Sequence, residues 1–200
     1  MEITNEVTKM NSPTKEIRNI VAAMNNLPLN ILYQKMNRVF RDALKKTDKK
    51  AELITTGEST EIERAVMEKI TEPMVHIIKN TLAHGIEEEN ERKNIGKSET
   101  GVVKIEGYLN RNSVYIEISD DGRGIDVETI YKKAYEKNIA VKEFSEYSEK
   151  EIMEFIFAPG FSTAEKIDEM AGRGVGMDVV KSEIGKLGGA VYIESKKKRV

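Results

Sequence analysis

Ser113-Val114-Tyr115-Ile116-Glu117-Ile118-Ser119-Asp120-Asp121-Gly122-Arg123-Gly124 alternates apolar and polar side chains until it reaches two carboxylates and two glycines. The alternation of Val114, Ile116 and Ile118 describes a strand with one buried face, and the same parity turns Asp120 toward that face as the strand ends. A carboxylate at the edge of a core requires a partner. Gly122 and Gly124 let the backbone bend sharply and let another group approach without a Cβ in the way. Standing alone, the segment also fits an ordinary Asp-Gly turn between strand and helix.

Upstream, Val103, Ile105 and Leu109 mark a second strand, paired antiparallel with the first through Asn110-Arg111-Asn112. Before it, Glu87 to Lys97 reads as polar and flexible, and Val66, Met67, Ile70, Met74, Ile77, Ile78 and Leu82 keep helical spacing as far as His84. Pro73 implies either a new start in that helix or a kink. Ala51 to Thr56 predicts a short strand, and Gly57-Glu58-Ser59-Thr60 a turn in which Ser59 or Thr60 caps the helix. Downstream, residues 127–138 and 149–157 have helical patterns. A loop from Ala158 leads to Gly172-Arg173-Gly174-Val175-Gly176, a helix over Met177 to Leu187 and a final strand at Ala190 to Glu194. Residues 15–46 read as two amphipathic helices separated by Asn25-Asn26-Leu27-Pro28 and followed by the charged stretch Lys45 to Lys50. The expected organisation is a helical arm and linker at 1–49 and one α+β domain at 50–200.

With 32 Lys+Arg against 34 Asp+Glu, the formal net charge is -2. That balance supplies no broad footprint for nucleic acid and no basic excess for anionic lipid. Two histidines and no cysteine exclude a disulfide framework, a thiolate metal site and a structural zinc cage. A reducing, cytoplasmic setting fits. No apolar run approaches membrane-spanning length, and residues 1–15 are polar where a secretory signal needs an apolar stretch, so no membrane insertion is expected.

Three constellations carry chemistry. His76, Asn80 and His84 are four apart and would form one polar stripe on a helix. The carbonyl oxygen of Asn80 is a hard ligand of the kind Mg²⁺ accepts, and the imidazole of His76 could meet a terminal phosphate as donor or proton carrier. A solvated helix face is the plain alternative. The exocyclic amine of adenine would satisfy Asp120, whereas guanine presents an oxygen there, which predicts adenine selectivity. Gly172 to Gly176, with the helix beginning at Met177, offers backbone N–H groups to phosphate oxygens, and Arg173 adds charge; a simple hinge is the alternative. A dinucleotide fingerprint counted from Gly172 fails at Met177, and a phosphate loop ending at Gly96-Lys97-Ser98 fails at Glu91.

Taken in order, these segments resemble the ATP-binding region of histidine kinases, most closely the chemotaxis kinases. His76-Ile77-Ile78-Lys79-Asn80 with His84-Gly85-Ile86-Glu87 is similar to that family's Asn-bearing helix, and Asp120 to Asp126 to its first glycine box. Phe157-Ala158-Pro159-Gly160-Phe161-Ser162-Thr163 is similar to its lid segment, and Gly172 to Val180 to its second glycine box. Leu27-Pro28-Leu29 through Arg41-Asp42 resembles, more weakly, the segment joining the family's dimerisation helices to the kinase domain. The resemblance implies a layered α/β sandwich holding ATP between helices and sheet, and γ-phosphoryl transfer to a histidine. It assigns Mg²⁺ to Asn80, adenine to Asp120, and the phosphate end to His76 and His84. Gly122 and Gly124 would shape the turn at the base, and Gly174 and Gly176 would give the lid its contacts. Ser162 and Thr163 would lie in the lid, and Lys133, or its neighbour Lys132, would add charge near the phosphates.

Ala83 and Ala164 depart from the family pattern, where Asp and Lys are common. No separate helical domain with a phosphoacceptor histidine is visible. The expected partners are ATP, an acceptor domain supplied from elsewhere, a coupling protein and a receptor, with a homodimer through a longer helical region. The sequence also resembles a chain short of the domain's last strand. A nucleotide-binding interaction module without kinase activity is the alternative, and an ATP-driven chaperone or topoisomerase clamp is a weaker one.

Overall fold

The structure, a computed structural model, describes residues 25–161 and 176–195; the helix expected before Asn25 lies outside them. Its elements are β1 (Asn26–Pro28), α1 (Asn30–Leu44), β2 (Ala51–Thr56), β3 (Glu61–Glu63), α2 (Arg64–Asn80), α3 (Glu89–Asn94), β4 (Gly101–Asn110), β5 (Ser113–Asp120), α4 (Val127–Glu136), α5 (Glu149–Glu154) and α6 (Met177–Lys186). The order β2-β4-β5 makes the larger sheet. β2 runs parallel to β4, with Leu53 opposite Val103, and β4 antiparallel to β5, with Ile105 opposite Ile118 and Val103 opposite Asp120. The predicted hairpin is present, and Arg111 turns it at φ 55.

The period-two pattern buries Val103, Ile105 and Gly107 on one sheet face, where α2 and α1 cover them. α1 does not stand off as an arm. Leu29, at its N-cap, and Leu32, Tyr33, Met36, Phe40 and Ala43 lie in the same core as Met67, Ile70, Met74 and Ile78 of α2. Pro73 leaves α2 continuous. An interior proline costs about 3 kcal/mol, but each of the four apolar side chains contributes about 1.5–3 kcal/mol when buried.

Two expectations at this end of the fold are corrected. Asn25 to Pro28 is more than a separator, because β1 pairs with β3 through Leu27 opposite Ile62. Neither Ser59 nor Thr60 caps α2: β3 intervenes, Glu63 is the N-cap without a side-chain bond, and Thr60 Oγ1 donates instead to the Gly107 carbonyl at 3.0 Å. Gly107 admits α1 to the sheet. A Cβ there would lie 2.1 Å from Leu29 Cδ1 and 2.5 Å from the Tyr33 hydroxyl, which donates to Thr56 O at 3.1 Å. Burial, reinforced by Glu58 and Glu106, pushes the Tyr33 phenol up to about 12. Gly107→Ala is therefore expected to cost about 1–3 kcal/mol by overpacking, read as a lower urea midpoint; an unchanged midpoint would refute this account of the contact.

The strand expected at Ala190 to Glu194 does not form, since residues 190–195 join no ladder. A side chain makes the contact instead: Ser195 Oγ accepts from Ile125 N at 2.8 Å. The helices expected from 127, 149 and 177 are present, the second opened by a capping box between Ser148 and Glu151. Ala134, Ala140 and Phe161 form a second, smaller core. Among the described residues, no helix is long and apolar enough to cross a membrane.

Candidate functional site

The last turn of the α2 helix changes pitch. Thr81–Gly85 forms a π turn, closed by Ile86 N–H donating to Thr81 O at 2.8 Å. The carbonyls of Leu82 and Ala83 both accept from Lys49 Nζ, at 2.7 and 2.8 Å. This cation satisfies acceptors that a helix end leaves open and sits where the helix dipole is negative. Burial, then the nearby Arg123, lowers the Lys49 pKa.

The π turn begins between the second and third residues of the expected polar stripe. His76 and Asn80 are half-buried on α2, the Asn80 amide nitrogen lying 3.4 Å from each ring nitrogen of His76. Burial, then Lys79, lowers the His76 pKa. His84 is exposed beyond the change of pitch. The π turn begins at Thr81, directly after Asn80, so His84 stands on a different pitch from His76 and Asn80.

The π turn then meets the turn after β5. Arg123 N–H donates to the Gly85 carbonyl at 3.0 Å. A Cβ on Gly122 would stand 2.3 Å from that oxygen, and one on Gly85 would stand 3.5 Å from Asp120 Oδ1. Gly124 has φ +72, a left-handed conformation that glycine adopts freely. Asp120 keeps the predicted parity, in one row with Leu53 and Val103. Its carboxylate accepts from Gly122 N at 2.9 Å and remains open to solvent at the sheet end. The surrounding protein nevertheless raises its pKa; the Gly122 N–H opposes that rise, while Asp121 and Glu87 add to it.

Behind this turn lies a cluster that the sequence reading did not anticipate. The stretch from Glu87 to Lys97, expected as a polar, flexible segment, contains the α3 helix. Arg92 is fully buried and Glu87 is 1% exposed. Arg92 donates to Glu87 at 2.9 Å, to the Asp121 carboxylate at 2.7 Å and to Ser98 O at 2.6 Å. Lys97 Nζ donates to Glu87 at 2.6 Å and to the carbonyls of Asp121 and Gly122, each at 2.8 Å. Burial opposes the charge on Glu87, but hydrogen bonds led by Lys97 hold its carboxyl below the ordinary value; at Asp121 burial is outweighed by Arg92 and the Val102 N–H. The doubled acid Asp120-Asp121 was the available signal, but its partner Arg92 lies 29 residues away and no periodicity joins them.

Other expected site residues stand on later elements of the chain. Lys133 is exposed on α4, its Nζ 5.2 Å from the centre of the Phe161 ring; Lys132 is also exposed. Gly176 is the buried N-cap of α6 and Met177 its half-buried first residue. Ser162, Thr163, Gly172, Arg173, Gly174 and Val175 lie outside the described residues.

Residues 69–200 match the family described as histidine kinase-, DNA gyrase B-, and HSP90-like ATPase. The chain is 39% identical over 195 residues to the chemotaxis protein CheA of Bacillus subtilis, an alignment covering 97% of this chain and 29% of that protein. It is also 39% identical to the sensor histidine kinase CheAY of Helicobacter pylori (97% and 24%), and 41% identical to the chemotaxis protein CheA of Borreliella burgdorferi (84% and 19%). The chain thus spans less than a third of the length of each of these relatives. The matched segment, the α+β fold and the Asn80 helix meeting the Asp120 turn agree: this chain belongs to the histidine kinase-, DNA gyrase B-, and HSP90-like ATPase family.

Proposed function

We propose that this chain is the catalytic domain of a histidine protein kinase in chemotaxis two-component signalling, binding Mg-ATP and passing its γ-phosphoryl group to a histidine on a separate domain. The observation that carries this reading is the open Asp120 carboxylate, held against the end of the helix that bears His76 and Asn80. Asp120 would accept a hydrogen bond from the adenine amine. His76, kept neutral by burial, would donate one N–H toward the phosphates.

Mg²⁺ suits Asn80: its amide nitrogen lies against His76, leaving the carbonyl oxygen as ligand. No group of three acidic or histidine ligands occurs among the described residues, so phosphate oxygens and water would fill the other positions. The ion, when bound, neutralises phosphate charge. In the transfer, an acceptor imidazole nitrogen bonds to the γ-phosphorus. The bond to the β,γ-bridging oxygen breaks with its electron pair on ADP, and the imidazole gives up its ring proton. The protein's contribution is positioning and electrostatics. His84, Lys133, Ser162, Thr163 and the Gly172 to Met177 segment are assigned to the phosphate side on family resemblance. A cytoplasmic setting and contacts with coupling protein and receptor complete the proposal.

Calorimetric titration with ATP and Mg²⁺ tests it. Asp120→Asn is expected to weaken binding about 10- to 100-fold, the range for a hydrogen bond to a charged group, and Asn80→Asp to change the Mg²⁺ dependence. Unchanged affinity in both variants would sink the site. Because the pKa of Asp120 is raised, the acceptor form is lost on acidification sooner than for an ordinary aspartate. Affinity should therefore fall as pH decreases through that raised value, and Asp120→Asn should remove this part of the pH dependence. Tight ATP binding with no phosphohistidine on a supplied acceptor domain would favour a nucleotide-binding module over a kinase.

A further inference from the structure

The carbonyls of Asp121 and Gly122 converge on a single ammonium, that of Lys97, while the Asp121 side chain is tied on the same side to Arg92. Fixing these two peptides orients the Gly122 N–H, which in turn holds Asp120 Oδ1 at 2.9 Å. Val102 N–H anchors the other Asp121 oxygen at 2.9 Å and joins the turn to β4. Lys97 has a second role, because Glu87 and Asp121 are both negative and lie behind a third carboxylate. Arg92 and Lys97 together balance the first two.

We infer that Lys97 is a positioning residue for base selection: it fixes the turn that aims the Asp120 carboxylate and thereby determines how well the protein separates adenine from a purine with oxygen at the same ring position. Arg92 and Glu87 hold Lys97 and Asp121 in place. The inference rests on the reading of Asp120 as the adenine acceptor, and it adds a residue that contacts no nucleotide. A carboxylate free to rotate could turn away from a 6-oxo purine and lose the acceptor-to-acceptor repulsion that rejects it. A carboxylate held by Gly122 N–H cannot do so without breaking that bond.

The test measures ATP and inosine triphosphate affinities for the wild type, Lys97→Met and Lys97→Arg, with folding checked by urea titration. The two nucleotides differ at the 6-position that Asp120 reads, amine in one and oxygen in the other, and at the adjacent N1, which carries a proton only in inosine triphosphate. Wild type is expected to favour ATP. Lys97→Met should lose about tenfold in ATP affinity, with inosine triphosphate affinity unchanged or raised, so that the ratio falls toward one or below. Lys97→Arg, which keeps the charge and its donors, should restore most of the ratio. A role confined to stability would weaken both nucleotides together and leave the ratio intact, and that result overturns the inference. Equal affinities in wild type would instead reject Asp120 as the adenine acceptor. If Lys97→Met does not fold, Lys97→Ala, which removes the donors to the two carbonyls and leaves room for water beside Glu87, carries the same comparison. Lys97 is partly exposed, with 19% of its side chain accessible.

Discussion

Arg92→Leu should lower the unfolding free energy by about 3–5 kcal/mol, the cost of removing one partner from a buried ion pair. The Arg92 side chain is fully inaccessible and Glu87 is 1% exposed, so water cannot replace the lost bonds at Glu87. Asp121, with 42% of its side chain exposed, can recover solvation, and Lys97 still reaches Glu87; the penalty therefore concentrates on Glu87 and on the carbonyls of Ser98 and Thr100. Arg92→Lys should recover only part, because a point charge cannot reproduce a fork spanning two carboxylates and the loop backbone. Urea titration at constant m-value measures the effect, and a loss below about 1 kcal/mol would show that the cluster is not stabilising. Its acid dependence has a defined sign. Glu87 and Asp121 have folded pKa values below their unfolded ones, so their stabilisation is complete above the unfolded carboxylate range and disappears as pH falls through the folded values.

Gly122→Ala should be nearly as damaging, at about 3 kcal/mol, the upper part of the overpacking range. The atoms its Cβ would meet are the Gly85 carbonyl oxygen at 2.3 Å and carbon at 2.5 Å. These are backbone atoms, tied to Arg123 N and followed by buried Ile86, so no rotamer change relieves the contact. The π turn and the Asp120 turn must separate, and ATP affinity should fall more than tenfold with stability. Gly185→Ala is the matched control: among the described residues, no atom outside its own helix backbone lies within 4 Å of a Cβ there, and the glycine sits inside α6. That change should stabilise by about 0.5–1 kcal/mol. If both alanine variants behaved alike, close approach of the two turns would not be what Gly122 provides.

Local pattern made much of this legible. Val114, Ile116 and Ile118 specified a strand, its face and therefore the row in which Asp120 stands, because side-chain parity is a property of the backbone alone. The spacing of Met67, Ile70, Met74 and Ile78 specified α2, and it located Asn80 beside His76. The same periodicity gave no warning of the π turn at Thr81, which leaves His84 exposed where His76 and Asn80 are half-buried. It also gave no sign that α1 packs on the sheet: the decisive residue is Gly107, which acts through the absence of a side chain. Glu87, Arg92 and Lys97 fell in a stretch that reads as polar and flexible because charged residues are usually exposed. Their burial depends on Asp121, which only the folded chain brings to them, and Lys49 reaches Leu82 and Ala83 for the same reason.

The parallel pairing of β2 with β4 also dictates an order of events. β4 and β5 are joined by a two-residue turn, whereas Ala51 finds Gly101 only after the intervening chain has closed into a loop. A hairpin forms in about 1–10 μs, and longer-range contacts bear a larger entropic cost before they are repaid. The Asp120 end should thus exist early in outline, with α2 and β2 docking later and completing it. Substitutions in the β4–β5 hairpin, such as Ile118→Val, should then slow folding, while Leu53→Ala in β2 should chiefly hasten unfolding. Stopped-flow kinetics in urea separates the two, and equal division of both effects would argue for concerted assembly.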